Sequence, residues 1–107
     1  LGVVPETDTD GCMQDIHWPS GAFGYFPSYT LGALAAAQIF TAARGNDTTI
    51  MPAISKGDFA PLNDWLRTNI HSSASRYTTS QIIERATGEP LGVAAFEAHL
   101  RSRYLSA

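Results

Sequence analysis

Apolar residues recur every three or four positions along most of this 107-residue chain. That spacing places them on one face of an α-helix. It predicts helices from Pro27 or Ser28 to Arg44, from about Asp58 to His71, over Thr79–Thr87, and from about Val93 to Tyr104. Residues 46–53 and 72–76 are predicted to be loops. The pattern favours an all-α chain built of helical hairpins.

Residues that end helices support these boundaries. Arg44 followed by Gly45 places a cation in the last turn and a glycine after it, which is a typical helix C-terminus. Thr78 and Gln81 have the spacing of a capping box, in which two side chains satisfy free backbone N–H groups. Gly88 is a suitable left-handed residue after the same helix.

The beginning of the chain shows no comparable periodicity. Residues 1–10 and 19–24 are rich in glycine, proline and small polar residues, which predicts loops. Between them the sequence favours a short helix that is capped by an aspartate and reaches Trp18. A strand over Cys12–Trp18 is the alternative.

The helix and strand interpretations differ in chemistry. On a helix, Gln14 and His17 lie three residues apart and share a face. On a strand, Asp15 and His17 share a face instead. The choice therefore decides which polar group accompanies the imidazole.

Composition and charge narrow the classes of function. The net charge is −3 and the seven Lys and Arg residues are spread along the chain, which argues against binding of nucleic acid or of an anionic membrane. The most apolar stretch, residues 31–43, is too short to span a bilayer. A single cysteine, Cys12, excludes an internal disulfide and fits a reducing compartment, so a cytoplasmic location is expected. The start at Leu1 rather than methionine suggests a fragment or a processed product.

Polar chemistry is concentrated between Gln14 and Tyr29. The segment holds an amide, a carboxylate, an imidazole, an indole and two phenols, and glycines and prolines interrupt it. A plain core helix would contain neither this density of functional groups nor this many helix breakers. The segment is predicted to form one wall of an active site, with the rest of the chain as helical scaffold.

The sequence Gly11-Cys-Met-Gln-Asp-Ile-His-Trp18 resembles the Gly-x-x-Gln-Asp-x-His-Trp signature of the Taq-type thermostable metallocarboxypeptidases. Gly21-x-Phe-Gly-Tyr-Phe-Pro-x-Tyr-x-Leu-Gly32 and the following Ala36-Ala-Gln38 are similar to the same family. So are Trp65-Leu-Arg-x-x-Ile-His71 and Ala86-Thr-Gly-Glu89. The resemblance therefore covers nearly the whole chain.

The resemblance implies a much longer all-α enzyme, commonly a homodimer, that removes single amino acids from peptide C-termini. It also implies zinc, cobalt or another divalent metal, held by a His-Glu-x-x-His helix and a downstream glutamate. This sequence contains no His-Glu-x-x-His, and its histidines, His17, His71 and His99, lack the spacing that puts two imidazoles on one metal. Residues 1–107 are therefore expected to form a single helical segment, the C-terminal fragment of a larger catalytic domain. The segment is expected to hold no metal, to need the missing N-terminal part and to be inactive alone.

Within that family the polar segment acquires specific roles. Hydrolysis of a peptide by a metallopeptidase needs neutral donors that stabilise the oxyanion, and His17 and Tyr25 are the predicted catalytic residues. Gln14, Asp15 and Tyr29 are predicted to bind substrate, and Asp15 could also accept the second N–H of His17 or of a metal-bound histidine and fix its tautomer. The structural alternatives are a core histidine, a capping aspartate, a glutamine that satisfies a buried loop, and a tyrosine that packs on a neighbour. Trp18, Phe23 and Phe26 are predicted to be packing residues, and Cys12 to be buried.

Two other functions remain open at this point. A free-standing helical module for binding or dimerisation would keep the scaffold without the metal. A cysteine hydrolase would use Cys12 with His17, although these residues lie five positions apart without an oxyanion-hole signature. For a segment shaped to pack on a larger enzyme, exposed apolar surface and self-association or marginal stability are also expected.

Overall fold

A computed structural model describes residues 2–105 of the chain, and these residues form five α-helices. The helices are α1 Pro27–Asn46, α2 Ile50–Ile54, α3 Ala60–Asn69, α4 Thr79–Thr87 and α5 Ala94–Tyr104. Short 3₁₀ turns occur at Cys12–Gln14 and His71–Ser73. No strand is present in the described part of the chain, and the all-α prediction is confirmed.

The chain divides into two compact units, Leu1–Thr30 and Leu31–Ala107. The first consists of turns and the start of α1, and the second contains the rest of α1 and all the other helices. The expectation that residues 1–107 form one segment of a larger catalytic domain stays a prediction.

Neither predicted conformation for the segment before Trp18 is correct. Only Cys12–Gln14 is helical, and Asp15 is extended, with φ −86° and ψ 131°. The Asp15 carboxylate accepts hydrogen bonds from the backbone N–H groups of His17 and Trp18, at 3.2 and 3.1 Å. Because a side chain takes up these donors, neither a helical turn nor a strand ladder has to satisfy them.

The core of the second unit is small. Its buried apolar residues are Ala43 from α1, Ile50 from α2, and Ile83 and Ala86 from α4. Residues 46–53, predicted to be a loop, contain the start of α2. The prediction failed because Pro52 is a breaker signal in sequence, whereas in the structure it lies in the first turn of a five-residue helix, where a missing N–H is tolerated.

The local signals at helix ends are mostly confirmed. Thr78 and Gln81 form the predicted capping box, and Gly88 is left-handed with φ +83°. By contrast, α1 continues through Gly45 and ends at Asn46, two residues beyond the predicted Arg44.

A buried amide joins α1 to the chain that follows α4. The Nε2 of Gln38 donates to the hydroxyl of Thr87 at 3.0 Å and to the carbonyls of Glu89 and Pro90, each at 3.1 Å. Its Oε1 accepts the N–H of Gly92 at 3.0 Å. Gln38 is 8% exposed, so these bonds satisfy an amide that would otherwise be costly to bury. We call this arrangement the Gln38 clamp.

Many large apolar side chains remain exposed, as predicted for a segment of a larger protein. In the first unit, Ile16 is 72% exposed and Phe23 is 71% exposed. Val93, directly before α5, is 62% exposed, and Tyr104 at the end of α5 is 69% exposed. Within residues 2–105, none of the helices has the length and apolar character needed to cross a membrane.

Candidate active site

His17 lies at the centre of the polar segment, and both of its ring nitrogens are engaged. Nδ1 lies 2.8 Å from Asp15 Oδ1, and Nε2 lies 3.0 Å from the hydroxyl oxygen of Tyr29. The side chains of His17 and Asp15 are about one quarter exposed, at 26% and 24%. The imidazole is therefore held at both ends while part of it remains accessible.

The Asp15 carboxylate fixes the proton on His17. Partial burial raises the pKa of Asp15, but the hydrogen bonds from the His17 ring and from the backbone of Trp18 and His17 outweigh it, and the pKa lies below its ordinary 3.8. Asp15 is thus ionised at neutral pH and can only accept hydrogen bonds. Nδ1 of His17 must carry a proton to donate to it.

Aromatic rings surround the imidazole. Tyr25 stacks on it with ring centroids 5.5 Å apart and 24° between the planes, and Phe26 meets it edge-on at 4.9 Å. Tyr29 also approaches edge-on, and it lies edge-on to Tyr25 with centroids 5.4 Å apart. Among residues 2–105, no hydrogen bond is formed by the Tyr25 hydroxyl, and Tyr25 is 48% exposed. Its O–H is therefore available to a ligand.

Two left-handed glycines bring Tyr25 to the imidazole. Gly21 and Gly24 have φ of +75° and +72°, a conformation that side chains with a Cβ rarely adopt. The first turn is closed by the Ala22 N–H, which donates to the His17 carbonyl at 2.8 Å. The chain thereby reverses between His17 and Tyr25, and the two rings stack.

The structure brings together Asp15, His17, Tyr25 and Tyr29, but not Gln14. The favoured helical interpretation paired Gln14 with His17, and this pairing is wrong. The Gln14 amide instead donates to the carbonyl of Thr9 at 2.6 Å. Asp15 is the partner of His17, as the strand interpretation proposed, although a turn rather than a strand brings them together.

Phe26 is the aromatic residue nearest to the His17 ring. It was predicted to be a packing residue, and it meets the imidazole edge-on as an apolar wall. Sequence reasoning missed that it packs on His17 itself, because the only signal was its position between Tyr25 and Tyr29, directly before α1.

Comparison with known proteins identifies the family. The profile of the family described as carboxypeptidase Taq (M32) metallopeptidase matches residues 1–104. The chain belongs to this family. Thermostable carboxypeptidase 1 of Thermus thermophilus is 45% identical over 104 residues, which cover 97% of this chain and 20% of that protein. Carboxypeptidase 1 of Bacillus subtilis is 38% identical, with 97% and 21% covered.

Solved structures of the family agree. Trypanosoma cruzi metallocarboxypeptidase 1 superimposes with a TM-score of 0.85 at 37% identity, over 94% of this chain and 21% of that one. The chain thus spans about a fifth of the length of the M32 relatives that it matches. The expected family and the fragment-like coverage are confirmed.

Membership in a metallopeptidase family implies a metal, and the described residues do not fit one. Within residues 2–105, no three His, Cys, Asp or Glu side chains come together in a group that could hold a metal ion. The side-chain nitrogens and oxygens of Asp15 and His17 already form hydrogen bonds with each other, with Tyr29 and with the backbone.

Cys12 does not belong to this cluster. It is exposed, which corrects the prediction that it is buried. Its thiol lies 4.0 Å from the Asp8 carbonyl, a weak contact, while both nitrogens of His17 face other residues. This geometry offers no base to activate the thiol, and it disfavours a cysteine hydrolase.

Proposed function

We propose that this chain is the C-terminal segment of an M32 metallocarboxypeptidase that releases single amino acids from peptide C-termini. The observation that carries the proposal is the hydrogen-bonded Asp15–His17 pair, which lies within a family segment and is covered by Tyr25 and Tyr29. In this proposal the segment supplies groups that contact the substrate and stabilise the transition state. The metal ligands lie elsewhere in the full-length parent.

The chemistry of the reaction calls for such groups. Peptide hydrolysis develops negative charge on the carbonyl oxygen, and the departing amine needs a proton. A phenol O–H and an oriented imidazole meet these needs without adding net charge. Tyr25 is proposed as the oxyanion donor because its hydroxyl is free within the described residues, and His17 as the group that holds and transfers a proton.

The three predicted substrate-binding residues have different surroundings in the structure. Asp15 was expected to bind substrate, but its oxygens already accept hydrogen bonds from His17 and Trp18. This favours a positioning role, in which it acts through the imidazole. Among the described residues, none donates to Oε1 of Gln14, which leaves this oxygen for a substrate N–H, and Tyr29 is exposed enough to contact a ligand. Both remain proposed substrate-binding residues.

The parent is proposed to need partners that this segment lacks. Zinc, cobalt or another divalent metal would be bound by the missing N-terminal part, and it would act there as the Lewis acid of the reaction. We also propose a homo-oligomeric, cytoplasmic enzyme whose isolated C-terminal segment is inactive.

A non-catalytic module for binding or dimerisation is the second candidate. Exposed apolar residues directly before α5 (Val93) and on it (Leu100 and Tyr104) favour it, since such surfaces mark interaction sites. A His-Glu-x-x-His sequence upstream in the same reading frame, together with peptidase activity of the parent, would decide against it.

The catalytic proposal is tested in the full-length parent with His17→Ala and Tyr25→Phe. Removal of one oxyanion donor typically lowers the rate about 10²–10³-fold, and we expect kcat/KM to fall by that order in Tyr25→Phe. Loss of a group that transfers a proton typically costs about 10²–10⁴-fold, and we expect a fall of that order in His17→Ala. His71→Ala and Tyr77→Phe are matched controls outside the cluster and should retain activity. If kcat/KM is unchanged in both site variants, the proposed catalytic roles are wrong.

A further inference from the structure

Asp15, His17 and Tyr29 form a continuous hydrogen-bonded chain. Asp15 Oδ1 lies 2.8 Å from Nδ1 of His17, and Nε2 of the same ring lies 3.0 Å from the Tyr29 hydroxyl oxygen. We call these three side chains the relay. Because both nitrogens of the imidazole are used within it, a ligand meets the relay at Tyr29, which is 57% exposed, rather than at Nε2.

A neutral His17 makes Tyr29 an acceptor toward a ligand. The ionised Asp15 requires the ring proton on Nδ1, so Nε2 holds a lone pair and accepts the Tyr29 O–H. With its only proton committed to the ring, the phenol oxygen presents lone pairs outward. In this state the phenol oxygen can accept a hydrogen bond from an N–H group of a ligand, and it repels an anionic oxygen.

A protonated His17 reverses the polarity of Tyr29. Nε2–H then donates to the phenol oxygen, and the phenol proton rotates toward the ligand. Tyr29 becomes a donor and suits a carboxylate or another anionic oxygen. No covalent bond changes, and the additional proton comes from solvent.

The surroundings of His17 permit this change. The titratable groups that face the ring are Asp15, Tyr25 and Tyr29, and Phe26 covers its edge. The carboxylate of Asp15 lies 2.8 Å from the ring and stabilises the positive charge of an imidazolium. The rings of Tyr25 and His17 hold Tyr29 edge-on, so its hydroxyl stays near Nε2 in either state.

We propose that Tyr29 is the ligand-contacting end of the relay, and that an anionic oxygen binds there together with a proton taken up by His17. The class of ligand is a molecule with a carboxylate, of which a peptide or an amino acid is one source. This identification of the source rests on the proposed function, but the hydrogen-bonding relay itself does not.

Calorimetry of acetate binding to the full-length parent tests the coupling. Titration in two buffers of different ionisation enthalpy counts the protons taken up. The unsubstituted enzyme should take up roughly one proton more than Tyr29→Phe, because a neutral imidazole gains one proton when it becomes an imidazolium. Loss of a hydrogen bond to a charged group should also weaken acetate binding at least roughly tenfold in Tyr29→Phe. Tyr77→Phe, a tyrosine outside the cluster, should match the unsubstituted enzyme.

Equal proton uptake and equal affinity in Tyr29→Phe and the unsubstituted enzyme would overturn the proposal. So would acetate binding without the additional proton. Acetate bound at other sites of the parent adds the same proton uptake to the unsubstituted enzyme and to Tyr29→Phe. It therefore cancels when the proton uptake of one protein is subtracted from that of the other.

Nitrogen NMR of histidine-labelled parent tests the relay without any ligand or activity. Neutral His17 should carry its proton on Nδ1, and Asp15→Asn should abolish that preference. A proton found on Nε2 would overturn the relay. If the NMR places the proton on Nδ1 and proton uptake depends on Tyr29, while His17→Ala and Tyr25→Phe keep full activity, the proposed function is wrong and the relay proposal stands. If activity depends on His17 but proton uptake does not depend on Tyr29, the relay proposal fails alone.

Discussion

Residues 2–30 and the helices that follow keep their conformations by different means. The first region has no buried apolar residue, and its turns depend on the Asp15 carboxylate, on two left-handed glycines and on contacts between exposed rings. The second has a small apolar core around Ile50, capped helix ends and the Gln38 clamp. Hydrophobic burial therefore stabilises the second region, whereas polar contacts position functional groups in the first.

Truncation of the core should give the largest difference between the regions. Ile50 is fully buried and Ile16 is 72% exposed, so they are matched isoleucines. Ile50→Ala should lower the free energy of unfolding by about 2–5 kcal/mol, because it removes buried methyl groups and leaves a cavity. Ile16→Ala should change it by about 0.5 kcal/mol or less. Urea unfolding of chain 1–107, followed by circular dichroism, measures both, and equal losses would contradict the comparison.

The glutamines Gln38 and Gln14 provide the second contrast. Gln38→Ala removes part-buried hydrogen bonds to the backbone of Glu89, Pro90 and Gly92, which should cost about 2–4 kcal/mol in total at about 1 kcal/mol for each bond. Gln14→Ala removes one exposed hydrogen bond to Thr9 and should cost less than about 1 kcal/mol. The same urea experiment compares them. A larger loss in Gln14→Ala would show that the polar segment is a stabilising element after all.

A smaller effect is expected at the start of α4. Thr78→Ala removes the capping hydroxyl that accepts the Gln81 N–H at 3.3 Å and should cost about 1 kcal/mol. Thr79→Ala, one residue later, removes no capping bond and serves as the control. Hydrogen exchange of the first-turn amides of α4 should increase only in Thr78→Ala. Equal exchange rates in both variants would mean that the capping box of Thr78 and Gln81 does not stabilise the start of α4.

Acid should have the smallest effect and should act on both regions. The pKa of Asp15 is lowered as described above, and the hydrogen bonds that Thr49 donates to Asp47 lower the pKa of that carboxyl too. A carboxyl with a lowered pKa stabilises the folded state above its ordinary value of 3.8 and loses that contribution as the pH falls further. Hydrogen exchange of residues 15–18 and 47–49 should therefore rise below that pH.

Single substitutions assign the acid response to each carboxyl. Asp15→Asn should remove the pH dependence from the first turn alone, and Asp47→Asn from the α1–α2 connection alone. If either variant keeps the full dependence, another carboxyl is responsible.

The sequence predictions are more accurate for the helices than for the turns of residues 2–30. The helices α1, α3, α4 and α5 were predicted because their signals are local: a periodic apolar face, a capping box, a glycine after the last turn. The short helix α2 was missed because Pro52 is a breaker signal in sequence and because no local pattern shows that Ile50 is buried. The turn at Asp15 was missed because the Asp15 carboxylate, rather than backbone carbonyls, accepts the N–H groups of His17 and Trp18. Sequence spacing does not show which acceptor these N–H groups use.

The candidate site was predicted in its composition but not in its connections. His17, Tyr25, Asp15 and Tyr29 were named from their chemistry and from the family signature, and the structure places them together. The sequence left open whether Asp15 or Gln14 accompanies the imidazole and favoured Gln14, and it did not show that Tyr29 contacts Nε2. The Tyr29 contact depends on the reversal at Gly21 and Gly24, which joins residues twelve positions apart. The Asp15 contact depends on the local turn in which Asp15 is extended.

The Gln38 clamp also has a consequence for the order of folding. It links residues 49 to 54 positions apart, whereas the bonds within each helix close over four. Helical turns form within about a microsecond, while a contact between distant residues first requires the intervening chain to close on itself. We therefore expect the clamp to be absent from the folding transition state. Its loss would then accelerate unfolding and leave the folding rate nearly unchanged, so that Gln38 determines how long the native helices persist.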